Sequence, residues 1–432
     1  MSSRISSVRA RQILDSRGRP TVEADVMFSG GSWGRACAPS GASTGRHEAL
    51  ELRDRDHSQY EGLGVRAAVN NVLTEISECV VGLDGLDQSA LDHAMIRLDG
   101  SSSLNRLGAN AVLAVSLACA RAAASHSGAP LYRYLASLLP GSEMSLPMPM
   151  TNILSGGAHA NRGMDFQDFL VVPVGAQSYT EALHMISQVR NQAAVLMRSA
   201  GLPVLLADEG GLSPGYSQAE RALELMMASF QKAGYRAGSE LAIALDVAAS
   251  ELYSDGKYLL PGEKRSLSGT EMSEFVQDLA RRYPIISIED ALEQDDWSTW
   301  QHFTAALPAV QIVGDDLFAT NVERISKGVA LGVANAALIK LNQNGTLSGT
   351  LAAIRLSRES RYATVVSARS GETEDTFIAD FAVGIGAGQI KIGSVRNSER
   401  LGKYNQLLRI EEESGLPFAG VSKLGGRLPA TV

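Results

Sequence analysis

The chain has 432 residues, of which 45% are hydrophobic and 20% charged, with a formal net charge of −8. The composition is ordinary for a water-soluble globular protein, but the length exceeds what one hydrophobic core serves, so two domains are expected. The negative charge argues against a general nucleic-acid or anionic-membrane binder, and neither an apolar signal region nor a membrane-spanning run is found. Three cysteines, Cys37, Cys79 and Cys119, lie in the first third with no close CxxC spacing. That pattern reads as reduced thiols in a cytoplasmic protein.

From Ile5 to about Ala36 the chain reads as strands. Val8–Leu14 alternates in part, Asp15-Ser16-Arg17-Gly18 is a turn, and Pro20–Val26 alternates again, which predicts a β-meander. Pro39–Gly45 is a flexible, polar Gly/Ser-rich loop long enough to act as a lid, with a plain surface linker as the lesser alternative. Between Val65 and Leu138 the periodicity becomes helical, clearest in the small-residue run Gly108–Ala124, which suits close packing in a core. Pro140-Gly141 and Leu146-Pro147-Met148-Pro149 mark a boundary. It divides the chain into a smaller α+β domain, residues 1–139, and a second domain, residues 140–432. The second domain opens with an apolar run to Leu154, the Gly156-Gly157 turn and His159. Phe169–Val172 reads as a strand and Tyr179–Ala200 as a helix. The short apolar run Val204–Leu206 leads into Ala207-Asp208-Glu209-Gly210-Gly211, after which strand and helix alternate. This fits an α/β barrel behind a smaller domain.

Five of these apolar runs end in a polar or charged residue: Ile243–Asp246, Ile285–Asp290, Val310–Asp316, Ala337–Lys340 and Ala363–Ser367. Continuous apolar runs are the mark of parallel strands covered by helices on both faces. In a barrel their carboxyl ends converge on one mouth. Asp246, Glu289 and Asp315 are then expected to meet, with Lys340 at the same level. Three carboxylates repel unless neutralised. A hard divalent cation does this, and all-oxygen ligation favours magnesium or manganese over zinc. Each acid taken alone also fits a helix N-cap in a strand-to-helix loop.

Several longer stretches carry a resemblance. They are Ile13-Leu14-Asp15-Ser16-Arg17-Gly18, Ser40-Gly41-Ala42-Ser43-Thr44-Gly45, Asp208-Glu209-Gly210-Gly211, Ala244–Ser250, Ser287-Ile288-Glu289-Asp290, Gly314-Asp315-Asp316-Leu317, Arg369–Asp375 and Lys403–Glu412. In this order and together, they resemble the enolase family along nearly the whole chain. The resemblance implies class α/β, a modified (β/α)8 TIM-type barrel preceded by a smaller α+β capping domain. It also implies a magnesium-dependent hydro-lyase that converts 2-phosphoglycerate to phosphoenolpyruvate. A homodimer or higher homo-oligomer is implied too, with Glu23 and Arg409 as candidates for a charged pair across the subunit contact.

By the same resemblance, Asp246, Glu289 and Asp315 match the magnesium ligands and Lys340 the general base. Lys391 matches a contact to the substrate carboxylate, and its charge is expected to lower the pKa of Lys340. Glu209 matches the acid that helps hydroxide leave, which requires a raised pKa. Arg369 and Ser370 match the phosphate grip. Ala42 and Ser43 belong to the lid, Ser43 closing on a second magnesium. His159 matches the lid-side histidine near the phosphate. Asp168 matches a second catalytic acid in the leaving-group region, and Gln167 before it matches a substrate contact.

Some positions depart from the family pattern. Ala368 stands where the family usually has histidine, Asp168 where it has glutamate, Ser155 where it has asparagine and Ala158 where it has serine. Asn344 replaces isoleucine, and Ile392-Gly393-Ser394-Val395 replaces Thr-Gly-Ala-Pro. The pattern reads as enolisation chemistry kept within a reshaped pocket. It leaves open 2-phosphoglycerate itself, a phosphonate or phosphinate analogue giving a carboxyphosphonoenolpyruvate-type product, or a non-catalytic structural role.

Overall fold

The computed structural model describes residues 2–42 and 45–424. The amino-terminal meander is present as β1 (Ile5–Leu14), β2 (Pro20–Phe28) and β3 (Trp33–Cys37), paired antiparallel in that order. One face of this sheet packs on the helix Ala109–His126, whose residues from Ala109 to Ala124 are buried apart from the half-buried Arg121. The alanine-rich sequence of that helix lets the sheet approach closely. Gly34 marks the tightest point, where an added Cβ would lie 2.3 Å from the carbonyl oxygen of Ala118 and 2.4 Å from the amide nitrogen of Ala122.

The second part is a closed eight-stranded barrel. Its strands are β4 (Met148–Ser155), β5 (Asp168–Val172), β6 (Ala242–Asp246) and, after a small antiparallel sheet of β7 (Tyr253–Ser254), β8 (Lys257–Leu260) and β9 (Arg265–Leu267), β10 (Ile285–Glu289). The circle continues through β11 (Gln311–Gly314), β12 (Ala336–Ile339), β13 (Ala363–Ser367) and β14 (Gly388–Lys391), which pairs back onto β4. All five apolar runs singled out in the sequence are barrel strands. The run Val204–Leu206 is not a strand; Leu205 is 62% exposed.

One strand breaks the uniform parallel pattern. β5 runs antiparallel to both β4 and β6. The β4–β5 connection contains only a short helical turn, Gly157–Ala160, and no crossover helix, so the chain must turn back on itself. β5 therefore ends at the floor of the barrel. Two successive helices, Tyr179–Ser199 and Ala219–Ala233, carry the chain up and back down before β6 starts from that floor. As a result, the first residue of β5, Asp168, stands at the mouth beside the last residues of its neighbours, Ser155 and Asp246.

The lower barrel is filled by Met148, Met150, Leu170, Val172, Ile286, Val313, Leu338 and Val365, with Leu424 from the carboxyl-terminal segment closing the floor. Within it, Gln311 donates to Ser287 Oγ at 3.0 Å and to Gln389 Oε1 at 2.8 Å, so these buried amides are satisfied. No helix among the described residues is long and apolar enough to cross a membrane.

Gly34→Ala is expected to lower the thermal unfolding midpoint, because its Cβ meets backbone that cannot move aside. Overpacking of this kind costs about 1–3 kcal/mol. An unchanged melting curve by circular dichroism would show that sheet and helix are not held this closely.

Candidate active site

The charged residues at the strand ends converge as the barrel requires. Asp246 ends β6, Glu289 ends β10, Asp315 follows β11, Lys340 follows β12 and Lys391 ends β14. All but Lys340 are buried. The Lys391 ammonium donates to Asp246 Oδ2 at 2.7 Å and to Glu289 Oε2 at 2.8 Å. The Lys340 ammonium donates to Asp315 Oδ2 at 2.5 Å. Gln167 and Gln343 add amide donors, to Asp246 at 3.0 Å and to Asp315 at 2.7 Å.

The three acids expected to share a metal are thus brought to one mouth but do not form one tight cluster. Among the described residues, two groups have candidate ligand atoms within 4.8 Å of one another: His159, Asp168 and Glu209, and Asp290, Asp315 and Asp316. The Lys391 ammonium lies between Asp246 and Glu289 and bonds to both, while the Lys340 ammonium bonds to Asp315. The donor set nevertheless fits a hard divalent cation. It is all carboxylate oxygen, and Glu289 Oε1 is buried with no hydrogen-bond partner among the described residues. Burial, and then repulsion from Asp246, push Glu289 well above the usual carboxylate range.

Two expected pKa shifts have the opposite sign. Lys340 was expected to titrate low. Burial does oppose its charge, but the attraction of Asp315 outweighs it, and Lys340 lies above its ordinary value. Lys391 is likewise raised well above, since Asp246 and Glu289 overcome its burial. Glu209 was expected to titrate high. Burial opposes its charge, yet His159, Arg400, Lys391 and Lys340 together hold it at about 2. The proton expected on Glu209 is instead held by His159. Burial disfavours the charged ring, but Glu209 and Asp168 raise its pKa to about 9.

His159 sits in the β4–β5 loop with Nδ1 3.2 Å from Asp168 Oδ2 and Nε2 3.8 Å from Glu209 Oε1. Ser155 Oγ donates to the other oxygen of Asp168 at 2.5 Å. Asn152 donates to Glu209 Oε2 at 3.2 Å. Ala368 is buried, and its amide donates to the Lys391 carbonyl at 2.9 Å. Asn344 accepts from the Thr346 hydroxyl at 3.0 Å and donates to the Thr320 carbonyl at 3.3 Å, so it ties two loops together.

The amino-terminal segment closes over this mouth. Ser43 lies outside the described residues, but its neighbours are placed. The Ala42 amide and an Arg17 guanidinium N–H donate to Ser370 Oγ at 2.8 and 3.3 Å. Arg369 pairs with Glu48 at 2.7 Å and donates to Asn342 at 3.1 Å. Arg46 bonds to Glu293 and Asp295, and His47 lies 3.2 Å from Asp295. Arg400, fully buried, donates to the carbonyls of Arg369 and Ser370 at 2.6 Å each and fixes that turn. Asp290, next after the end of β10, accepts the amides of Asp315 and Asp316 at 2.9 and 2.7 Å. Burial, with Asp315 next, raises Asp316 to about 7.

Sequence reasoning did not single out Glu48, Arg17, Gln343 or Arg400 as site residues. Arg17 lies inside a stretch that was recognised, and Glu48 lies three residues beyond the lid loop. Their roles come from long-range contacts that no local pattern encodes. The proposed cross-subunit residue Glu23 pairs within its own chain with Arg11 and, at 3.6 Å, with Arg35, while Arg409 is exposed.

Fold and site together define a class, an α/β-barrel protein of enzyme type with its acids and lysines collected at the carboxyl-terminal mouth of the barrel. Residues 143–424 match the family model described as the enolase C-terminal TIM barrel domain, and residues 5–135 match the enolase N-terminal domain. The chain belongs to the enolase family.

The raised pKa of His159 makes a stability prediction with a definite sign. A folded-state value of about 9 against an ordinary 6.5 means that stability from the charged ring is fully present below pH 6.5 and is lost as pH rises to 9. The wild type should exceed His159→Gln in denaturant resistance at pH 6, with the gap closing across pH 6.5–9. A gap independent of pH would contradict the ion pairing of His159 with Asp168 and Glu209.

Proposed function

We propose that the protein is a magnesium-dependent hydro-lyase. It removes the proton α to the carboxylate of 2-phosphoglycerate or a close analogue and eliminates water to give an enolpyruvate product. The observation that supports this reading is the placement of Lys340 and Lys391 at the mouth ends of β12 and β14, Lys340 bonded to Asp315 and Lys391 to Asp246 and Glu289, the carboxylates that match the family's metal ligands. Removing a proton next to a carboxylate builds a doubly charged enolate, so the site must supply fixed positive charge.

Asp246, Glu289 and Asp315 are the residues that would hold magnesium. When bound, the metal supplies positive charge for the enolate and offsets the charge of its carboxylate ligands. Lys340 is the base: burial and the charge of Arg369 oppose its charged form, while Asp315, Glu289 and Glu48 favour it. Lys391 orients the substrate carboxylate. The proton for the departing hydroxide is drawn from the His159–Glu209 pair, where His159 carries it. Arg369 and Ser370 receive the phosphate, the anion competing with Glu48 for the guanidinium. The remainder of the reading is a small-molecule acid as substrate, a homodimer or higher homo-oligomer, and a cytoplasmic setting. These rest on the family and on the sequence.

A phosphonate or phosphinate analogue as substrate is the second reading. Ala368 favours it, because it offers only a methyl group beside the Lys391 backbone, where the family usually has an imidazole.

Turnover of 2-phosphoglycerate with magnesium, followed by ultraviolet absorbance of the enol product, tests the first reading. Lys340→Ala should reduce it about 10²–10⁴-fold, the usual contribution of a positioned base, and chelation by EDTA should abolish it. Retained turnover in Lys340→Ala would remove Lys340 from this role. Ala368→His separates the two substrates. A gain on 2-phosphoglycerate alone marks an impaired enolase, and a loss on the analogue marks a pocket built for it.

A further inference from the structure

Ser155 and Asp168 both depart from the family pattern, and they touch. They are register partners at the mouth end of the antiparallel pair β4–β5, and both are fully buried. Ser155 Oγ donates to Asp168 Oδ1 at 2.5 Å, which leaves Oδ2 to face His159 Nδ1 at 3.2 Å. The far side of the same ring faces Glu209 at 3.8 Å. Both oxygens of Asp168 are thus directed to side chains of the protein.

We propose that Ser155 is a positioning residue that clamps the Asp168 carboxylate and, through it, sets the ring orientation of His159 toward Glu209. A carboxylate bonded to one imidazole nitrogen fixes which nitrogen points at the reacting centre. Its own orientation must then be fixed by a third group. Ser155 has the fixed backbone this needs, since its amide donates to the Leu212 carbonyl at 2.8 Å. The space around it is equally restricted. A Cβ on Gly211 would lie 2.2 Å from Ser155 Oγ, so glycine there leaves room for the hydroxyl. Asp168 therefore acts through His159 rather than on the substrate, and the two departures form one unit.

The test uses the full chain labelled with ¹⁵N-histidine. His159→Gln assigns the His159 ring resonance among the seven histidines. In the wild type the Nδ1 proton should lie downfield, as a carboxylate-bonded imidazole proton does. In Ser155→Ala it should move upfield or be lost to exchange, while Ser155→Thr, which keeps the hydroxyl, should retain it. An unmoved resonance in Ser155→Ala overturns the proposal. Should Ser155→Ala not fold, Ser155→Cys keeps the shape of the side chain with a much weaker donor and is expected to move the resonance upfield; an unmoved resonance there overturns the proposal equally. The kinetic consequence rests on the dehydratase reading. There, kcat should fall about tenfold in Ser155→Ala with KM within twofold, and recover in Ser155→Thr, as for loss of one buried hydrogen bond to a charged group. A KM effect with unchanged kcat would count against orientation of the acid. The resonance decides the proposal even in a protein that turns over no candidate substrate, so failure of the dehydratase reading is seen separately.

Discussion

The mouth of the barrel concentrates negative charge, and the rest of the structure is arranged around its neutralisation. Asp246, Glu289, Asp315 and Asp290 are all buried within a few strand ends of one another. Unpaired, such charges are not tolerated in a protein interior. Lys391 answers Asp246 and Glu289, and Lys340 answers Asp315. Both lysines are held charged by the acids and the three acids are bonded to the lysines, so neither set has an independent position. One oxygen of this set, Glu289 Oε1, is left with no hydrogen-bond partner among the described residues.

A second charge balance joins the amino-terminal segment to the barrel. Glu48 pairs with Arg369, and Arg46 with Glu293 and Asp295. Arg17 reaches Ser370 and the Ser40 carbonyl. The exposed Arg46 contacts contribute little individually, because solvent screens them. The Glu48–Arg369 pair is buried, and removing one partner would strand the other's charge. That pair holds the segment over the mouth, and it occupies the guanidinium that the proposed substrate anion requires. Closure and substrate binding therefore draw on the same group.

The reversed strand β5 has consequences beyond topology. Because it starts at the mouth, its first residue faces the charged cluster, and Asp168 lies between Ser155 and Asp246 in the sheet. A parallel β5 would place its last residue, Val172, there instead. The His159 loop is short for the same reason, being the connection of an antiparallel pair. The imidazole, Asp168 and Glu209 are close because one hairpin and one glycine-rich turn meet at this edge.

The sequence by itself determined the strands that end in Asp246, Glu289, Asp315 and Lys340, because a buried parallel strand needs an unbroken apolar run and its charged end has only the mouth to face. It also determined the meander and the buried alanine-rich helix, whose patterns are local. Only the tertiary structure decided the direction of β5, the contact of Glu48 with Arg369 and the pairing of Ser155 with Asp168. It also decided the sign of the pKa shifts at Lys340 and Glu209. Those depend on which charge lies nearest to which, over separations of up to several hundred residues. Electrostatic energy follows distance in space and burial, and neither is written in the spacing of residues along the chain.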